Sequence, residues 1–386
     1  MYFVCIFFEC MEKYCNFVNR LENMIMENRS SETIKFLRMP LAIAIVFQHS
    51  YGYINSAKPA DISGMWAWQA VDAIRGFCSW VIIGAALMAF ALISGYLFFS
   101  KWPSEDNEPL RWDWRTYGRK MLNRVFSLLI PYIIWNILSA WYLSVPFSWH
   151  IFWDQFSWGA DKVNVFGQQM LPTYAPADSP LWFIRDLFII SLCAPVLFML
   201  IKYGKHYTVL FFWAVFLLKT PSWTPSITLL PWFVTGAYLS IFRKDLSTEA
   251  CRIWKPWMWI VIALSGILIP LEGVVHQLLQ PLFMMFICLF YFWSATKIVE
   301  RKPFSTPDVI AHASVAVYAG HVGLGVLEKT ASWMAMLIPD GSSCVLLLLR
   351  YFLAPLLCVA IITLLFSLIY PSIAAGLLTG KILKRR

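Results

Sequence analysis

The sequence predicts an all-α, polytopic integral membrane protein of about ten transmembrane helices, with both termini cytoplasmic. Three observations predict it. Only 14% of the 386 residues are charged while 59% are hydrophobic. Soluble domains average about 25% charged residues, so too few are present to coat a water-facing surface of this size. Apolar stretches of about 20 residues, the length that crosses a bilayer as a helix, recur from residue 36 to residue 379. Most of the 31 Lys and Arg residues fall in alternate connections between those stretches.

The first segment, 1–32, reads as cytoplasmic. Its opening "MYFVCIFFEC" is apolar but too short to span, and Glu9, Glu12 and Lys13 interrupt it. No small-residue cleavage site comes after it, which speaks against a signal peptide. The segment reads as an over-extended start, with translation beginning near Met24 or Met26, or else as a short interfacial segment. The membrane domain occupies 33–375. Its spans run roughly 36–55, 79–99, 124–145, 181–201, 206–220, 226–242, 257–271, 276–296, 309–328 and 344–370. Pro, Gly and charge clusters such as "KWPSEDNEP" and "RKPFSTPD" punctuate the breaks. Residues 376–386 form a basic cytoplasmic tail. The largest outer loop, about 146–180, is rich in Trp, Tyr, Pro and Asp. Its aromatics suit an interfacial belt or stacking against sugar rings.

The basic residues set the orientation. The N-terminal segment carries Lys13, Arg20, Arg29, Lys35 and Arg38, and the 100–124 connection carries Lys101, Arg111, Arg115, Arg119, Lys120 and Arg124. Lys202 and Lys205, then Arg243, Lys244, Arg252 and Lys255, then Lys297, Arg301 and Lys302, then the tail, fall on the same side. The positive-inside rule makes that side cytoplasmic. The same placement explains the net charge of +9 as a topology signal, so no nucleic-acid partner is expected. The nine cysteines are scattered and form no CxxC pair; neither a redox dithiol nor a metal centre is expected.

Ionisable groups inside the spans point to chemistry. Arg38 and His49 stand eleven residues apart on the first span. On a helix that is three turns plus about 20°, with about 16 Å of rise, so they share one face. Arg38 sits at the cytoplasmic boundary, where a guanidinium can also snorkel to headgroups. His49 lies about 20 Å from the start of the span. An intramembrane histidine is costly and marks a site by default, although a lone one can also be a hydrogen-bonded packing residue. His321, in "VYAGHVGL", lies about 18 Å from the cytoplasmic end of its own span, a matching depth. Arg185 and Asp186 enter span four from the outside. They point about 100° apart on a helix, so they need not pair. His49, Arg185 and His321 thus fall in the outer half of three spans, as an active site or an ion pathway requires.

These residues and their neighbours resemble acyltransferase family 3. The resemblance lies in Arg38-ten-His49, "LISGYLFF" (Ser94, Gly95, Tyr96), "RVFSLLIPYIIWN", "PLWFIRDL" and "VYAGH", in that order over about residues 33–370. It is nearest the branch described as fucose-4-O-acetylase-like. The resemblance implies an O-acyltransferase, most simply an O-acetyltransferase of the cell inner membrane. It would take an acyl group from cytoplasmic acetyl-CoA and pass it to a hydroxyl of a cell-envelope glycan or a lipid-linked sugar, among membrane lipid. His49 would be the essential histidine and Arg38 its motif partner, with His321 and Arg185 completing the site. Arg119, Lys120 and Arg124, in the basic loop before Pro131, would bind the donor phosphates. The family often places two basic residues within a turn or two of that proline. Here Val125, Phe126, Ser127 and Leu128 follow Arg124, and Arg119 and Lys120 stand in from upstream.

The residue chemistry agrees. A hydroxyl becomes a nucleophile when a base takes its proton, and His49 can do that or carry the acyl group itself. Arginines suit diphosphates through bidentate bonds, and Arg185 suits an oxyanion or an acceptor phosphate. No GxSxG, P-loop or HExxH is present. Two alternatives remain. One is a secondary transporter that uses His49, His321 and Arg185 as a proton or anion path. The other is a membrane acyltransferase of the class that modifies proteins or lipids around a buried histidine.

Overall fold

A computed structural model describes residues 29–52, 62–82, 84–102, 110–142, 163–165, 168–170, 178–218, 225–268, 274–301, 307–340, 342–370 and 372–380. The expectations for residues 1–28, for most of the aromatic outer loop and for the end of the basic tail lie outside these residues.

Helix α1 covers 29–52, α2 Ile62–Gly76 and α3 Ala85–Phe99, with a π-helical stretch Phe77–Ile82 between the last two. Helix α4 (Trp114–Arg124) runs through a second π-helical stretch, Val125–Leu129, into α5 (Ile130–Tyr142). The sequence explains that widened turn. A proline in a helix clashes with the carbonyl four residues earlier, which for Pro131 is that of Ser127, and a wider turn relieves the clash. A short 3-10 turn, Ser179–Leu181, leads into α6 (Trp182–Leu192), followed by α7 (Ala194–Leu218), α8 (Pro225–Ile241) and α9 (Leu246–Ile253). Then come α10 (Met258–Leu268), α11 (Val274–Arg301), α12 (Asp308–Gly323), α13 (Val326–Leu337), α14 (Cys344–Ile369) and α15 (Ile373–Thr379).

The helical expectation holds apart from one feature. Strands β1 (Val163–Val165) and β2 (Gln168–Met170) pair antiparallel, with Asn164 opposite Gln169. Val163 and Val165 alternate with Asn164, the period-2 pattern of a strand.

Among the described residues, three helices are long and apolar enough to cross a membrane: Trp114–Tyr142, Gln280–Arg301 and Cys344–Ile369. Two bent pairs raise this to five if each pair is one span: Trp182–Leu192 with Ala194–Leu217, bent 64°, and Asp308–Gly323 with Val326–Leu337, bent 69°. Sequence reading gives about ten spans; length and composition of the described helices support three to five. One difference has a local cause. Within α7, Lys205 has φ 48° and ψ −130°, and Thr208 Oγ1 donates to the Leu200 carbonyl at 2.6 Å. Eight residues of straight helix would rise about 12 Å, so the chain turns back here, at the point expected to separate the fourth and fifth spans. A second break shortens the expected 309–328 span: Gly325 has φ 61° and ends the run two residues after α12.

Nearly all of α3 is buried, and it packs most extensively against α8. Helix α14 shows two faces. Arg350, Tyr351, Ala354, Cys358, Ile362 and Phe366 are buried, while Leu349, Leu353, Leu356, Leu364 and Leu368 are exposed. A leucine stripe of that length suits lipid rather than water. At one end of the bundle, Ser30 Oγ donates to Asp245 Oδ1 (2.5 Å) and lies 3.1 Å from Ser247 Oγ. Arg29 pairs with Glu300, and Lys35 pairs with Asp308 at 2.8 Å. These contacts draw the start of α1, the start of α9, the end of α11 and the start of α12 together.

Candidate active site

Two histidines from helices far apart in sequence meet. His49, in the last turn of α1, and His321, in the last turn of α12, have ring centroids 5.1 Å apart at an interplanar angle of 54°. His321 is 0% exposed, and His49 is half-buried. His321 Nδ1 lies 3.1 Å from the Val317 carbonyl. A carbonyl only accepts, so Nδ1 carries the proton and Nε2 of the neutral ring offers its lone pair. That Nε2 is buried with no hydrogen-bond partner among the described residues. The contact sets the tautomer and leaves the Nε2 lone pair available to a group entering the site.

Tyr318, one turn before His321, has its ring centroid 6.5 Å from the His321 ring and donates its hydroxyl to the Pro180 carbonyl. Asp178 and Asp186 are both within electrostatic reach of that hydroxyl. Arg185 and Asp186 are buried and pair, an outcome the sequence left open: Arg185 Nε to Asp186 Oδ1 is 3.0 Å. Adjacent helical side chains diverge at Cβ, but a guanidinium is long enough to fold back onto its neighbour. Tyr132 of α5 lies within electrostatic reach of both. The Arg185–Asp186 pair therefore lies on the side of Tyr318, whose ring is near that of His321.

Arg38 sits three turns below His49, half-buried. Among the described residues no charged neighbour meets it. The basic residues of the α4 region take up different positions. Lys120 Nζ donates to the Ser100 carbonyl (2.6 Å) and the Leu97 carbonyl (3.4 Å). Arg124 Nη2 donates to the Ser94 carbonyl (2.8 Å) and lies over the Phe98 ring at 5.5 Å. The Leu97 and Ser100 carbonyls are at the C-terminal end of α3, where they lack helical amide partners and the helix dipole favours cations; Ser94 lies a turn earlier, inside the helix. Arg119 is exposed and donates to Thr116 Oγ1 at 3.1 Å. Asp113 caps α4 by accepting from the Arg115 and Thr116 amides, and its hydrogen bonds to Thr116 hold its carboxyl below the usual range.

Sequence reading missed Asp178, Asn136 and Ser139. Asp178 precedes the 3-10 turn at Ser179 and is 0% exposed. Its amide donates to Asn136 Oδ1 at 3.2 Å. The Gly323 amide approaches its carboxyl, but neither carboxyl oxygen reaches a hydrogen bond of normal geometry among the described residues. Burial pushes this carboxyl well above the ordinary range. A Cβ on Gly323 would collide with Ser139 Oγ and stand 2.6 Å from Asp178 Oδ2. The available signal was an acid just ahead of an apolar span that opens with Ser-Pro. Among the described residues no group of three or more His, Cys, Asp or Glu side chains could hold a metal ion.

Residues 32–380 match a family model described as an acyltransferase domain. The chain is also 23% identical over 202 residues to the succinoglycan biosynthesis protein ExoH of Rhizobium meliloti (strain 1021). That match takes in 51% of this chain and 50% of the relative, so the chain spans about half the length of that curated relative. No solved structure matches.

Proposed function

The chain belongs to acyltransferase family 3, and on that premise we propose that it is a multi-pass inner-membrane O-acyltransferase acting on a cell-envelope glycan or lipid-linked sugar. The donor in this reading is acyl-CoA, most simply acetyl-CoA, presented from the cytoplasmic side. The observation that carries the reading is the His49–His321 contact, two imidazoles 5.1 Å apart, one with a free, buried Nε2. A relative named for succinoglycan biosynthesis supports a glycan acceptor.

In acyl transfer the acceptor oxygen bonds to the thioester carbon, the carbon–sulfur bond breaks, and the acceptor proton ends on the departing thiol. The histidine pair is the proton relay for that exchange. His321 Nε2 is placed to take the hydroxyl proton, and His49 stands beside it as relay or acyl carrier. Arg38, without a charged neighbour on the same face of α1, is the group left to meet a phosphate on the donor side. Arg119 is the exposed member of the basic loop, while Lys120 and Arg124 spend donors on α3 carbonyls. The Arg185–Asp186 pair orders the wall behind Tyr318. The transport alternative draws no support from the family.

The test compares O-acyl content of envelope glycans in strains carrying wild type, His49→Ala, His321→Ala or an empty vector, at equal membrane levels. The proposal expects wild type alone to restore ester-linked acyl groups. Equal content in all strains would overturn it.

A further inference from the structure

The last turn of α1 carries His49, and a helix leaves its final carbonyls without internal partners. Three side chains from elsewhere take hold of this turn. Arg75, near the end of α2, donates from Nη2 to the Tyr51 carbonyl at 3.2 Å. Its guanidinium carbon sits 5.1 Å from the Tyr51 ring centroid and 5.8 Å from that of Tyr351 on α14. Asp72 completes the grip: it accepts from the Tyr51 hydroxyl at 3.2 Å and lies 3.8 Å from Arg75 Nη1. Ser79, in the π-helical stretch after α2, donates to the Phe47 carbonyl at 3.1 Å. The Ser79 and Tyr351 hydroxyls are 2.6 Å apart, and the Phe47 and Tyr351 rings lie edge to face at 6.0 Å.

The held carbonyls belong to residues 47 and 51, two on either side of His49. Arg75 is only 2% exposed although it is a cation. The other cation within reach, Arg350, is drawn away by Asp340 at 2.8 Å. A buried arginine is costly unless its hydrogen bonds and ring contacts are filled. Here the Tyr51 carbonyl and ring on that turn, the Asp72 carboxylate and the Tyr351 ring supply part of that compensation.

We infer that Arg75 is a positioning residue for His49, clamping the end of α1 through the Tyr51 carbonyl and the Tyr51–Tyr351 ring pair, with Ser79 as the second point of the clamp. This rests on the reading of His49 as part of an acyl-transfer site. Arg75 touches neither reacting group. Its task is to keep the His49 ring against His321, where a displacement of about 1 Å is enough to cost orders of magnitude in rate.

The experiment has two arms, on purified full-length wild type, Arg75→Gln, Arg75→Lys and Tyr351→Phe. The first measures labelled acyl transfer from acetyl-CoA or succinyl-CoA to de-O-acylated envelope polysaccharide of the host strain. Arg75→Gln is expected to lower kcat at least tenfold with donor KM within twofold. Arg75→Lys and Tyr351→Phe should fall between. A kcat within twofold of wild type overturns the inference. So does a donor KM that rises as kcat falls, which would make Arg75 a donor-binding group. The second arm needs no activity. It follows carbethoxylation of His49 by peptide mapping, with exposed His206 as internal reference. Arg75→Gln is expected to raise His49 labelling several-fold while His206 is unchanged. Unchanged His49 labelling, or a matching rise at His206 from general unfolding, overturns the inference. If wild type transfers no acyl group yet the His49 labelling shift is present, the clamp stands and the acyltransferase reading falls.

Discussion

Substituting Gly95 with alanine tests the tightest packing in the bundle. Helices α3 and α8 cross where Gly95 and Gly236 face each other's backbones. A Cβ on Gly95 would collide with the Phe233 carbonyl oxygen and stand 2.8 Å from its carbon and 3.0 Å from its Cα. A Cβ on Gly236 would collide with the Leu92 carbonyl oxygen and stand 2.8 Å from the Tyr96 amide nitrogen. Carbon atoms rest at about 3.5–4.0 Å, and backbone cannot rotate aside as a side chain can. The helices must therefore part by about 1 Å, loosening the contact between Phe98 and Phe233. Overpacking of this kind costs about 1–3 kcal/mol, and the upper end applies because backbone is struck. Alanine regains about 1 kcal/mol of helix propensity. The expected net loss is about 2 kcal/mol. Once the helices have parted, the second glycine has room, so Gly95→Ala/Gly236→Ala should cost clearly less than the sum of the singles. Thermal unfolding in detergent with a thiol-reactive dye reads this directly, because Cys288 and Cys358 are buried and react on opening. A Gly95→Ala protein as stable as wild type, or singles that simply add, would refute the close-crossing argument.

Three further outcomes are expected. Arg124→Ala leaves the Ser94 carbonyl without its cation and removes the contact with Phe98; it should lower stability by about 1–2 kcal/mol in the same dye assay. Gly325→Ala places a side chain at φ 61° and against the Tyr142 ring; it should cost at least about 1 kcal/mol and lower acyl transfer by shifting the bend that comes after His321. Asp178→Asn should stabilise the protein at neutral pH. Burial raises the Asp178 carboxyl in the folded state, so its proton is held more tightly than in the unfolded chain, where the value is about 4. Stability is then fullest below that value and is lost as pH rises towards the raised folded value. The melting-temperature gap between Asp178→Asn and wild type should widen from pH 4 to pH 8; a constant gap would count against an ionising Asp178.

Composition and short-range pattern carry everything the sequence determined by itself. Too few charges to coat a surface made the chain a membrane helix protein, and Pro and Gly breaks placed α8, α10, α11 and α14 close to where they are found. The spacing of Arg38 and His49 set them on one face because a helix has a fixed pitch, and the cost of intramembrane histidines singled out His49 and His321 as candidates. Other features were decided only by tertiary structure. The pairing of His49 with His321 joins residues 272 positions apart, and no local pattern encodes a contact between helices. Sequence reading assigns no helix to the residues between the first two expected spans, yet Ile62–Gly76 folds as α2, whose Arg75 and Asp72 bond to the end of α1. Lys120 and Arg124 read as donor-phosphate ligands in a basic loop; in the fold both lie against the last turns of α3 and donate to its carbonyls. Asp178 carries no sequence signal beyond its position ahead of an apolar span, since burial is a property of the groups that pack around it.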